Sequence, residues 1–445
     1  MQTLKLAGDR IFIEPMSLLK RVLLFASKLG YQTRTFHSAA ERLGVELVFV
    51  TDRCHRLDDP WRDQAIAVHF ENPEAAAASV IHSQRGRPVD GILALGDRPT
   101  PTAAYVAHGV GIPFHHPISV HACRNKLRMR EVFRDASLPV PRFSAVPLQP
   151  LPEPSLLGIS FPCVIKPLSL SASQGVSRAN NREEFLAAAT RLKRLLESPQ
   201  IRATREPHLD QMLVEEYLPG REVAVEALMT EGDLRILAIF DKPDPLEGPF
   251  FEETIYITPS RMPPALQHSI EAGLRSTAGA IGLTHGPVHG EFRINERGVW
   301  PIEIAPRPIG GMCAQALRFQ PTNQVRFGLE ELLLRHSLGL PGADAPREQN
   351  ASGVMMIPVP HSGTFEKLEG LEAARGLPGI TSIEITARLH DYIVAWPEGS
   401  SYLGFIFAEG VDPAEAEVAI RAAYAKLHFS LIPRLPVEHP VTGTW

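Results

Sequence analysis

Two glutamates twelve residues apart, Glu291 in GPVHGEFRI and Glu303 in PIEIAPRPIGG, form the pair best placed to do chemistry. Each sits in a short apolar run, Glu291 before Phe292 and Glu303 between Ile302 and Ile304. Alternating apolar and polar residues predict adjacent strands of one hairpin, with NERG (295–298) as its turn. Carboxylates on neighbouring strands can clamp hard divalent cations, which take oxygen ligands and keep substrate phosphates as further ligands. Arg307, four residues beyond Glu303, offers a planar fork for a phosphoryl group or a carboxylate, and Gly310 and Gly311 follow it. A plain hairpin with solvated charges would carry the same pattern, so the pair needs support from elsewhere in the chain.

That support comes from two upstream segments. In FPCVIKPLSLSASQGVSR (161–178) an apolar strand delivers Lys166 toward a cleft, a point charge suited to phosphate. The loop after it, with Ser169, Ser171, Ser173 and Gly175, can wrap phosphate oxygens with hydroxyls and backbone amides, or can be a simple connector. The G-x-x-x-x-G-K-[ST] spacing of a P-loop is absent from the chain. In MLVEEYLPGREVAVEALM (212–229) a strand ends at Pro219-Gly220 and returns. An adenine can lie against such a hinge at Glu216, Tyr217 and Leu218, with Glu222 placed to accept from ribose hydroxyls. A β-hairpin with surface glutamates is the alternative.

Positioning these groups requires several layers. The first 120 residues alternate apolar strands (21–27, 46–52, 66–70, 91–97) with helical stretches (31–44, 73–86), which predicts a parallel sheet covered on both faces. No G-x-G-x-x-G follows the first strand, so a classical dinucleotide site is not expected there. A helix from Ser119 to about Ala136, opened by a serine cap, is predicted next. The proline-rich stretch 138–154 then marks a change of layer. From about 161 to 310 the strands carry more charge and glycine, as expected of a sheet facing a ligand cleft. A linker at 339–353 precedes a smaller α+β unit that ends in a helix over 413–427, capped by Asp412 with Glu415 as capping-box partner. Phe250, Phe251, Tyr256, Met312 and Phe319 either line an apolar pocket or belong to the core.

Composition narrows the class. At 445 residues the chain exceeds what one core accommodates, and about three domains are expected. A net charge of -5 gives no basic footprint, which argues against nucleic acid as the main partner. Cys54, Cys123, Cys163 and Cys313 lack zinc or disulfide spacing and read as small buried hydrophobes. No apolar run is long enough to span a bilayer, and Asp9 and Glu14 interrupt any signal-peptide core, so a cytoplasmic location without membrane partners is expected.

Taken together, Lys126 in RNKLRMR, Lys166 in VIKP, the serine and glycine loop, VEEYLPGREVAVE, GPVHGEFRI and PIEIAPRPIGG resemble, in order and spacing, the ATP-grasp superfamily. The resemblance covers about residues 120–312. KPDPLEGPFFEETIYITPS (242–260), GPVHGEF and the Arg-Pro-Ile-Gly-Gly ending are most similar to the carboxylate–amine ligases that join L-amino acids, the dipeptide-synthetase branch. It implies an N-terminal Rossmann-like α/β domain (1–120), an ATP-grasp domain (121–345) and a C-terminal α+β lid (346–445). It also implies ATP with magnesium, or manganese in its place, small-molecule carboxylate and amine substrates, and often a homodimer. By resemblance, Lys126 and Lys166 bind phosphates and the loop from Ser171 through Ser173 to Gly175 closes over them. Glu215, Glu216, Tyr217, Leu218, Glu222 and Lys242 complete the nucleotide set. Glu291 and Glu303 hold the metal, and Arg307 stabilises transferred charge. Gly310 and Gly311 cradle the substrate carboxylate, and Glu253 meets an amino group with His289 in the same pocket. Glu253 and His289 are also the candidates for deprotonating the attacking amine.

Two departures stand out. Ala305 replaces the usual Asn two residues after the second metal glutamate, and Ile255-Tyr256 replaces a frequent Gly-His. The first leaves one or two metal ions open, and the second leaves the amine open. The expected reaction is amide formation through an acyl phosphate. Carboxylation through carboxyphosphate, or a nucleotide-binding regulatory protein without chemistry, are the rival readings.

Overall fold

The computed structural model describes residues 19–27, 31–52, 65–151, 153–321 and 325–434, with the short stretches 438–439 and 443–444. Asp9, Glu14 and Cys54 lie outside the described residues. The first layer is a four-stranded parallel sheet built from Arg21–Ala26, Glu46–Thr51, Ile66–Ala67 and Gly91–Leu95, in the order third, second, first, fourth. Both faces are covered, as the wholly apolar strands require: Val22, Leu24 and Leu93 pack to one side, and Leu23, Phe25 and Ile92 to the other. The third strand is shorter than the predicted 66–70: the Val68 amide makes the last bond, to the Thr51 carbonyl at 2.9 Å, and the chain turns at Phe70.

The helix predicted over 119–136 is two helices, Pro117–Arg124 and Lys126–Asp135. His116, not Ser119, caps the first. Asn125 breaks the run: its backbone is extended (φ -108°) and its side chain accepts from the Arg128 amide at 3.1 Å. The freed Lys126 amide donates instead to the Leu168 carbonyl at 2.9 Å, which ties the start of the second helix to the strand carrying Lys166.

Two antiparallel sheets follow. The smaller has the order Phe143–Pro147, Gln211–Glu216, Cys163–Pro167, Ser177–Ala179. The larger has eight strands, in the order Gly298–Ala305, Gly286–Asn295, Arg221–Thr230, Asp233–Asp241, Ile255–Thr258, Ala351–Ile357, Gly404–Gly410, Ile380–Ile385. Its last three strands come from the C-terminal part, so the sheet runs without interruption from the Glu291–Glu303 hairpin into that part. Val223, Val225, Ala227, Val288 and Phe292 bury one face under the helix Pro264–Ile281. A fully buried side chain such as Phe292 contributes about 1.5–3 kcal/mol of transfer free energy. The helix Pro413–Tyr424 covers the far end, and Asp412 accepts from the amides of Ala414 and Glu415. No helix among the described residues is long and apolar enough to cross a membrane.

Candidate functional site

Strand periodicity builds the site. With Val288, Gly290 and Phe292 turned into the core, His289, Glu291 and Arg293 share the opposite face. On the neighbouring strand Glu222, Ala224 and Glu226 do the same. Register then aligns His289 with Glu226 and Ala305, Glu291 with Ala224 and Glu303, and Arg293 with Glu222. Glu291 and Glu303 are thus direct cross-strand partners. A bulge follows them, where Phe292 pairs with Pro301 and Ile302 is the extra residue. Pro301 has no amide to give the ladder, and the Ile302 carbonyl instead accepts from Arg130 at 2.8 Å.

This face, the smaller sheet and the carboxyl ends of the parallel strands enclose one cavity of about 710 Å³. Lys126, Lys166, Ser171, Ser173, Glu215, Glu216, Tyr217, Leu218, Glu222, Glu253, His289, Glu291, Glu303, Arg307, Gly310 and Gly311 all line it. Of the apolar-pocket candidates, Phe251 and Tyr256 line it as well, while Met312 and Phe319 belong to the core.

Three predicted residues stand back from the wall, the first being Ser169, whose hydroxyl donates to the Pro207 carbonyl at 3.3 Å. Gly175 has φ +76°, and a Cβ there would lie 2.9 Å from Leu192 and 3.0 Å from Leu195, so it packs on a helix rather than on the cavity. Lys242 is buried behind the wall and acts as a counter-ion. It bonds Glu222 at 2.8 Å and Glu253, lies 3.3 Å from Glu291, and sits 5.0 Å from the centre of the Tyr256 ring. Three carboxylates converging there without it would repel one another.

Each charged group in the cavity has a specific partner. Burial acts to raise the Glu291 carboxyl, but Lys242 and His289 outweigh it and hold Glu291 well below the usual carboxylate range. Burial carries Glu253 up to about 7 against the pull of Lys242. Burial also lowers His289, yet a hydrogen bond to Glu226 (3.1 Å) and the nearby Glu291 carboxylate (3.6 Å) carry it up to about 9. With carboxylates on both ring nitrogens and its charge retained at neutral pH, His289 suits a positioning cation rather than the base expected of it. Lys166 is lowered to about 8 by burial despite its ion pair with Glu215. Arg130, fully buried, bonds the same carboxylate at 2.7 Å, so Glu215 serves as a floor beneath Lys166. Lys126 donates to the Leu170 carbonyl at 2.7 Å and lies 3.5 Å from Glu303. At the hinge, the amides of Glu216 and Tyr217 are bonded to the carbonyls of Arg142 and Pro162. Both oxygens of Glu222 are engaged, by Lys242 and by Arg293 at 2.9 Å.

Sequence reasoning missed the groups that hold the Arg307–Gly311 turn. Glu226, with no exposed surface, accepts from the Ile309 amide at 3.1 Å while holding His289. Asp97 grips Arg307 through two bonds, and Gln32 donates to the Gly311 carbonyl. Two signals were available. Glu226 shares strand parity with Glu222, and Asp97 follows the carboxyl end of a parallel strand, where α/β sheets bind ligands.

The donor set fits a magnesium nucleotide. Glu291 and Glu303 present hard oxygen ligands to one side of the cavity, and Lys126 and Lys166 present cations to the same space. One oxygen each from Glu222, Glu253 and Glu291 lies within 4.8 Å of the others, and there the protein places its own cation, Lys242. Ala305, buried beside His289, adds no oxygen.

Three family descriptions match the chain: the ATP-grasp N-terminal domain over residues 36–114, the ATP-grasp domain over 159–316, and L-amino acid ligase C-terminal domain 2 over 355–431. The ATP-grasp enzyme fsqD of Aspergillus fumigatus is 26% identical over 62% of this chain, and the match spans only 53% of that protein. The formate-dependent phosphoribosylglycinamide formyltransferase of Bordetella bronchiseptica is 28% identical, over 89% of this chain and 92% of its own length. Among solved structures, the L-amino acid ligase from Bacillus licheniformis superposes with a TM-score of 0.75, covering 93% of this chain and 99% of that one, at 24% identity. The chain belongs to the ATP-grasp superfamily, whose cofactors are ATP and magnesium. Within it, the match over residues 355–431 aligns it with the carboxylate–amine ligase branch.

Proposed function

We propose that this protein joins the carboxylate of one small molecule to the amine of another, with L-amino acids as both substrates and ATP converted to ADP and phosphate. The observation that carries this reading is the convergence of Glu291, Glu303, Arg307 and Glu253 on one cavity. A carboxylate is a poor electrophile at neutral pH. Attack of its oxygen on the γ-phosphorus of ATP, with ADP leaving, forms an acyl phosphate. The amine nitrogen then attacks the acyl carbon, and phosphate departs.

Such phosphoryl transfer asks the protein for positioning and charge neutralisation. Magnesium held by Glu291 and Glu303 would supply Lewis-acid charge beside the terminal phosphates. Lys126 and Lys166 would bind those phosphates. Arg307, locked by Asp97, would meet the charge that develops on the transferred group. The amides of Gly310 and Gly311, on a turn held by Glu226 and Gln32, would face the substrate carboxylate. Glu253, carried up to about 7 by burial, is suited to take a proton from an incoming ammonium at neutral pH. Tyr256 stands beside it where relatives often carry histidine, so the amine subsite here has an aromatic wall.

The experiment is phosphate release from ATP and magnesium with pairwise mixtures of amino acids, followed by mass analysis of the products. An amide product with stoichiometric phosphate supports the reading. Phosphate release that depends on bicarbonate, or ATP binding with no release across the panel, would replace it.

A further inference from the structure

The loop over residues 171–175 is held by a distant part of the chain. The Trp396 indole N–H donates to the Ala172 carbonyl at 3.1 Å, across 224 residues of sequence. The Gly175 amide donates to the Pro397 carbonyl at 2.7 Å, and the Gln174 side chain donates to the Glu398 carbonyl at 2.7 Å. Three successive C-terminal residues therefore each fasten one residue of the loop. The loop needs fastening, because Ala172 (φ 56°) and Ser173 (φ 53°) both adopt the left-handed conformation that side chains disfavour. The two residues form the centre of a tight turn, closed by the Gln174 amide donating to the Ser171 carbonyl at 3.2 Å.

Trp396 reaches the cavity only through a neighbour that lines it. Its ring packs on Tyr402 with centroids 4.8 Å apart, and Tyr402 lines the cavity alongside Glu253, Tyr256 and Met356. One side chain thus touches both the 171–175 loop and a residue of the cavity wall.

We infer that Trp396 is a positioning residue: it holds the 171–175 loop closed over the phosphates and, through Tyr402, links that closure to an occupied substrate cavity. This rests on the ligase reading above. A closed loop matters there because an acyl phosphate reached by water hydrolyses without making amide. A substrate packed against Tyr402 stiffens Trp396, and Trp396 keeps the loop shut until the amine has reacted.

The test is Trp396→Phe, which keeps the ring and removes the donor, with thermal unfolding run alongside to verify the fold. Two quantities are read: phosphate released per amide formed, and hydrogen exchange at the Gly175 amide with magnesium and a non-hydrolysable ATP analogue bound. The expected result is a rise of about three- to ten-fold in phosphate per amide, the span one net hydrogen bond covers, with faster exchange at Gly175. An unchanged ratio overturns the inference. If the wild-type protein forms no amide with any pair, the ligase reading has failed instead. Exchange then decides alone: faster at Gly175 in Trp396→Phe upholds the fastening, and unchanged overturns it.

Discussion

The Arg307 guanidinium is clamped edge-on by Asp97, Nε to Oδ1 at 2.7 Å and Nη2 to Oδ2 at 3.1 Å, across 210 residues of sequence. Burial would raise the Asp97 carboxyl, but Arg307 overcomes this and holds it low, while Arg307 itself is pushed further up. The N-terminal sheet thereby sets the aim of an arginine that belongs to a strand end of the central sheet. Fixed geometry of this kind is what lets a cation act on developing charge without reorganising.

Asp97→Asn is expected to lower kcat about ten- to hundred-fold with a smaller change in KM for ATP, because the fork loses its orientation rather than its charge. Arg307→Ala should cost more, about 10²–10³. Steady-state phosphate release with the best amino-acid pair measures both. Equal kcat for Asp97→Asn and wild type would show that Arg307 needs no clamp.

Glu303→Gln is expected to raise the magnesium concentration for half-maximal rate at least about ten-fold while leaving unfolding unchanged. Its carboxylate has Lys126 at 3.5 Å as its ion-pair partner and is partly exposed, so the fold gains little from it. A magnesium titration of the rate, paired with urea unfolding, separates the two effects. An unshifted titration would remove Glu303 from the metal site.

Glu226→Ala should destabilise the protein by roughly 2–4 kcal/mol, because it strands His289 and the Ile309 amide in a buried setting. Urea unfolding at pH 7 tests this. Glu226→Gln, which keeps an acceptor for one partner, should lose less.

His115 and His336 give a pH dependence remote from the chemistry. Burial lowers each to about 4, below the ordinary value near 6.5. The unfolded chain therefore binds protons that the folded one refuses. Stability from these histidines is complete above pH 6.5 and is lost as pH falls toward 4, by up to about 3 kcal/mol for each. Glu253, raised to about 7, has the opposite slope in this window, so the comparison is between wild type and His115→Gln across pH 4.5–7. The difference in unfolding free energy should shrink as pH falls. A constant difference would show that His115 titrates normally.

Much of the site was legible because strands alternate. Counting by twos from Glu291 and Glu303 put them on neighbouring strands, and the two are direct partners in register. Glu222, named from the turn before it, and His289, named from the resemblance, reach the same cavity face. The helix across Asn125 was misread because amphipathic spacing persists through the break, and only a neighbouring strand offering the Leu168 carbonyl shows why the chain stops there.

What the sequence determined alone was therefore local: which side chains share a strand face, where turns fall, and the order of the nucleotide-binding segments. What only the tertiary structure decided was pairing across the layers, Arg307 with Asp97, Lys166 with Glu215 and Arg130, Lys242 among three carboxylates. Periodicity fixes the direction of a side chain relative to its own strand. The partner of a buried charge depends on how sheets from separate stretches are brought together, and desolvation then makes that partner obligatory.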